Sequence, residues 1–86
     1  MPTISRFLGI VIRMYFEDHP PPHFHAHYAE HEASIFIDTL EVREGSLPRR
    51  VLALVLEWAF QHRKELRENW QLAERQQPLK QIEPLD

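Results

Sequence analysis

Apolar residues in this 86-residue chain recur at every second position as far as Val42 and at every third or fourth position beyond Pro48. A period of two places alternate side chains on opposite faces of a strand, whereas a period near 3.6 lines one face of a helix. The change of period at Glu44-Gly45-Ser46 therefore divides the chain into a sheet followed by a helix, and the fold class it predicts is α+β. A chain this short builds one core, so residues 1–86 are read as a single domain.

Leu8, Ile10, Ile12, Met14 and Phe16 alternate with Phe7, Gly9, Val11, Arg13 and Tyr15, which predicts a first strand over about 4–17. Gly9, with no side chain to pack, marks a bulge or a close approach of another backbone. Three consecutive prolines, Pro20 to Pro22, then interrupt the ladder, because they cannot donate hydrogen bonds to it. Alternation resumes over 23–28, with His23, His25 and His27 on one face and Phe24, Ala26 and Tyr28 on the other. A turn over Ala29–Glu32 leads to a third strand at about 33–38, and a short fourth is expected at about 40–44 with Leu40 and Val42 inward. The predicted sheet is thus an antiparallel meander of about four strands.

Ser46 as N-cap and Pro48 in the first turn open a helix over about 47–76, with Leu52, Val55, Ala59, His62, Leu66, Trp70 and Ala73 on its apolar face. Unbroken, it would run roughly 40 Å, more than so small a sheet can cover, so a bend or break is expected near His62–Lys64. The tail from Pro78, with Leu79, Ile82 and Leu85, suits an extended segment over the core or over a partner.

Composition removes several functions. There is no cysteine, hence no disulfide framework and no thiolate metal site, and a reducing cytoplasm fits. The apolar start is interrupted by Arg6 and Arg13 and bounded by Glu17 and Asp18, which argues against a signal peptide or a membrane span. The net charge is −3, with the acidic excess in residues 1–46, so nonspecific duplex binding is disfavoured.

Chemistry concentrates in His19-Pro-Pro-Pro-His23-Phe-His25-Ala-His27, within a stretch that holds five of the six histidines. Alternate strand residues on one face lie nearly 7 Å apart, so two imidazoles can converge on one ion whereas three in a row cannot. The metal candidates are accordingly His23 and His25, the third ligand being His19, Asp18 or His62, and the ion a divalent metal such as zinc. A metal-free alternative is an acid/base site of Asp18, His19, His23 and His25 acting on RNA, with Arg6 or Arg13 holding the phosphate. By strict alternation Arg13 shares a face with Tyr15, and Arg6 lies opposite unless Gly9 bulges. A third reading is structural, with the histidines orienting the proline loop through hydrogen bonds. Trp58 is expected in the core, while Trp70, late on the helix near Arg63 and Arg67, either packs under the tail or faces a partner.

Asp18-His19, Pro21-Pro22-His23-Phe24-His25-Ala26, Gly45, Leu47-Pro48, Glu57-Trp58, His62 and Asn69-Trp70 together resemble the pattern of the small prokaryotic domain-of-unknown-function family 4160, nearly end to end. His27 and His31 lie outside that pattern. Members of that family often sit beside a gene for another small protein, as in toxin–antitoxin modules. The resemblance therefore implies a partner-binding component of a two-gene module, with an adjacent small protein as partner. The alternative reading is a small metal-dependent or histidine-based hydrolase or ribonuclease built on Asp18, His19, His23 and His25. Arg6, Arg13, Tyr15 and Trp70 are the candidate contact residues, and a homo-oligomer is compatible with either reading.

Overall fold

A computed structural model describes residues 2–86. Five strands, β1 (Thr3–Phe7), β2 (Ile10–Arg13), β3 (His23–Tyr28), β4 (His31–Phe36) and β5 (Val42–Ser46), form one antiparallel sheet in sequence order. Two helices follow, α1 (Arg49–Gln61) and α2 (Arg63–Glu74). The α+β class and the meander are as the periodicity predicts, but the sheet has five strands rather than about four.

The extra strand arises at Gly9. Leu8 (φ 50°) and Gly9 (φ 80°) turn the chain back on itself, so the apolar run expected as one strand over 4–17 is a hairpin with Phe7 opposite Ile10 and Arg6 opposite Val11. A two-residue turn with both central φ values positive matches the twist of the strands it joins, which is why glycine stands there. Alternation does not show such a turn, because Leu8 stands within an apolar run, and Leu8 is 65% exposed at the turn. The turn also puts Arg6 on the face shared by Val11 and Arg13, not opposite Arg13 as strict alternation implied.

The second turn is tighter than expected as well, occupying Ala29 and Glu30 alone, so that His31 and Glu32 belong to β4 and Glu32 pairs with His27. The fourth strand of the prediction is shifted. Leu40 (φ 62°) lies in the turn, its amide donating to the Phe36 carbonyl at 2.9 Å, and β5 begins only at Val42. Val42 pairs with Ile35, yet 41% of its surface stays exposed because β5 is the sheet's edge. Gly45 (φ 79°) lies so close to β4 that a Cβ would stand 2.2 Å from the Glu32 carbonyl oxygen.

Ser46 does not cap the helix: it ends β5, and Pro48 occupies the N-cap position without a side-chain hydrogen bond. The expected break falls at His62 (φ −120°, ψ 24°), which separates α1 from α2. One sheet face supplies Ile12, Phe24, Ala26 and Ile35 to a core completed by Val55, Trp58, Ala59 and Leu66 from the helices. Burying side chains of this size contributes about 1.5–3 kcal/mol each before entropy is counted.

The tail is part of that core. Asn69, itself buried, brackets Lys80, its Nδ2 donating to the Lys80 carbonyl and its Oδ1 accepting from the Lys80 amide, both at 2.9 Å. Trp58 Nε1 donates to the Glu83 carbonyl at 2.8 Å, and the Ile82 amide donates to the Ile4 carbonyl at 2.8 Å. The last contact covers the outer edge of β1, so Ile82 is buried there. No helix among the described residues is long and apolar enough to cross a membrane.

Candidate metal centre

Residues 14–22 link β2 to β3 and carry the proline run, with the Pro20–Pro21 peptide in cis. This loop folds back on the start of β3. The Ile37 amide donates to the Pro22 carbonyl at 3.0 Å and anchors the loop's end, and Asp18 Oδ1 accepts from the His19 amide at 2.9 Å, which sets the carboxylate's orientation. Asp18 Oδ2 then faces two imidazoles, lying 2.9 Å from His23 Nε2 and 3.2 Å from His25 Nε2.

Asp18, His23 and His25 each present one ligand-type atom, and the three atoms lie within 4.8 Å of one another. Bonds of about 2.0–2.1 Å to one tetrahedral ion would separate its ligand atoms by about 3.3 Å. The two Asp18 contacts are near that spacing and all three ligand atoms lie within 4.8 Å, so the donor set suits a divalent ion. Asp18 is thus the third member of the cluster. The His19 ring is exposed and only its amide takes part, while His62 pairs through Nδ1 with Glu65 Oε1 at 2.7 Å and rests on Trp58.

His23 is 1% exposed, and its tautomer is fixed by its neighbour. A carbonyl oxygen only accepts, so the 2.8 Å contact between Nδ1 and the Pro21 carbonyl is Nδ1–H donating. Nε2 is buried and faces Asp18 Oδ2 at 2.9 Å, as a lone pair in the neutral ring and as N–H in the protonated one. His25 stands beside it, its ring centroid 5.3 Å from that of His23, and its Nε2–H donates to Asp18 Oδ2. The other nitrogen of His25 faces Glu32 Oε2 at 3.5 Å, and His27 Nδ1 lies 3.7 Å from Glu32 Oε1. The Pro21 carbonyl behind His23 Nδ1 is the far-side partner that aims a histidine at a metal ion, whereas His25 Nδ1 has no hydrogen-bond partner among the described residues.

Burial by itself would raise the Asp18 carboxyl pKa. The hydrogen bond from His25, the His19 amide and the charges of His23 and His25 outweigh it and hold Asp18 below the ordinary aspartate value.

The surroundings are rigid. Trp70, 5% exposed, places its indole 5.3 Å from the His23 ring, and Tyr15 meets His25 edge-on at 4.4 Å. Trp70 therefore backs the centre instead of presenting an open aromatic surface. Arg13 pairs across the strands with His25 and rises from the same face, whereas Arg6 is exposed two strands away on β1. His31 is half-exposed beside Glu30. A cleft of about 270 Å³ opens beside His25, between Glu32, Ser34 and Arg43.

The sequence pattern missed Glu32 and the Pro21 carbonyl. A two-residue turn at Ala29–Glu30 would have paired His27 with Glu32 and brought the carboxylate to His25. No residue pattern announces a backbone carbonyl as an orienting group.

No curated protein and no solved structure matches this chain. A family model described as "Domain of unknown function (DUF4160)" matches residues 9–71, a span that contains the proline loop, all three members of the cluster and Trp70. The chain belongs to that family.

Proposed function

We propose that the protein is a small metal-dependent hydrolase in which Asp18, His23 and His25 hold one divalent ion, zinc being the ion that best suits nitrogen and carboxylate donors at tetrahedral spacing. The observation that carries this reading is the buried Nε2 of His23, which faces Asp18 Oδ2 at 2.9 Å while Nδ1 is committed to the Pro21 carbonyl. A neutral His23 ring would set two acceptors against each other there, so a cation or a proton stands between them. Three protein ligands leave a fourth position for water, and a zinc-bound water ionises near pH 7. Held by Asp18, His23 and His25, the ion would supply an activated water for ester hydrolysis. The test is metal content of protein made without a histidine tag. One ion per chain, lost in His25→Ala, supports the reading, and a chain that takes up no zinc overturns it.

A second reading, partner binding within a two-gene module, is favoured by the exposed edge of β5, where Val42 is 41% exposed while the opposite edge at β1 is covered by the tail. Co-expression with the adjacent small protein and co-purification tests it, with Val42→Lys expected to break the complex.

A further inference from the structure

Arg13 brings a positive charge to the sheet face that carries His25. Its Nε is buried and has no hydrogen-bond partner, and no carboxylate among the described residues forms a salt bridge with it. Arg43, by contrast, is bound to Glu44 Oε1 at 2.6 Å and Arg67 to Asp38 Oδ1 at 2.9 Å; Arg63 Nε is also buried without a partner, but of the two only Arg13 pairs across strands with a member of the cluster. A half-buried guanidinium left unpaired is costly unless an anion completes it.

Its place on the sheet indicates which anion. Arg13 is directly opposite His25 in the β2–β3 register, which sets their Cβ atoms about 5 Å apart on one face. With a divalent ion on Asp18, His23 and His25, the local charges are two positive from the ion and one from Arg13, against one negative each from Asp18 and Glu32. The sum is one positive charge, and a neutral ester would leave it uncompensated. A phosphoryl group has oxygens enough to bind the ion with one and the planar guanidinium fork with two others, which a carboxylate cannot do at once.

We infer that Arg13 is a substrate-binding residue that holds the phosphoryl oxygens of a phosphate ester against the ion at Asp18, His23 and His25. This rests on the metal reading above, and the experiment separates the two. The full chain loaded with zinc is titrated calorimetrically with inorganic phosphate, and with acetate at equal ionic strength, for the wild type, Arg13→Gln and Arg13→Lys. One phosphate per zinc is expected, with affinity reduced by about tenfold or more in Arg13→Gln and by less in Arg13→Lys, and with zinc content unchanged in all three. Equal phosphate affinity in Arg13→Gln, or acetate bound as tightly as phosphate, overturns the inference. If zinc does not load, the metal reading falls, and titration of the zinc-free chain then decides on Arg13: phosphate binding lost in Arg13→Gln keeps the anion site, and no binding removes it.

Discussion

Asp18 and His25 lie seven residues apart in sequence on opposite sides of a proline run, yet His25 Nε2 donates to Asp18 Oδ2 at 3.2 Å. The loop folds back onto the strand, and the carboxylate it delivers is held ionised by its surroundings. Because Asp18 has a lower pKa in the native chain than in the unfolded one, the unfolded chain binds the proton more tightly. The stabilisation is complete above the unfolded value of about 3.9 and is lost as pH falls from there through the native value. Asp18→Asn should therefore flatten the acid limb of a stability-versus-pH curve below about pH 4. An unchanged acid limb in the variant would contradict this account of the carboxylate.

His23 and His25 should respond differently to truncation, although both belong to the cluster. His23 is 1% exposed, packed on Trp70 and bonded to Pro21, so His23→Ala leaves a cavity and an unpaired carbonyl, costing about 2–4 kcal/mol. The His25 side chain is 14% exposed, and His25→Ala should cost about 1 kcal/mol. Urea unfolding of both variants checks the order, and His25→Ala is accordingly the cleaner probe of chemistry.

Asn69→Ala should release the tail. Both of its side-chain hydrogen bonds go to the Lys80 backbone, and without them residues 79–86 keep the hydrogen bonds of Trp58, Ile82 and Gln81 and the packing of Leu79, Ile82 and Leu85. A loss of about 2–3 kcal/mol is expected, with faster proteolysis after Lys80 read by mass spectrometry.

The two glycines should also differ. A Cβ at Gly9 meets only the Tyr28 ring at 3.4 Å, so Gly9→Ala costs the positive-φ strain alone, about 1 kcal/mol. At Gly45 a Cβ would meet the Glu32 carbonyl at 2.2 Å, backbone against backbone, and Gly45→Ala should cost about 3 kcal/mol or more by displacing β5. Thermal unfolding of the two variants tests the ranking.

Periodicity carried the class, the meander and the histidine face of β3, because each follows from which residues bury together, and the helix break at His62 followed from a helix too long for the sheet. It failed at Leu8–Gly9, where the turn itself carries an exposed leucine, and at Leu40–Val42, where an edge strand leaves an aliphatic residue exposed. It also failed at Ser46, which pairs with Glu32 instead of capping a helix. Asp18, His23 and His25 were all among the candidates by residue type and spacing. Their convergence was not legible, because it depends on a nine-residue loop whose return path is set by backbone contacts at Pro21 and Pro22. Trp70 reaches His23 only through the docking of α2, which no local pattern encodes.

The central claim is that Asp18, His23 and His25 form one metal centre, and zinc titration of untagged protein against a chromophoric chelator tests it most directly. The account predicts one zinc per chain for the wild type, at least about tenfold weaker binding in Asp18→Asn and His25→Ala, and binding in His62→Ala equal to the wild type. No saturable zinc uptake by the folded wild-type chain, or equal uptake by His25→Ala, would contradict it.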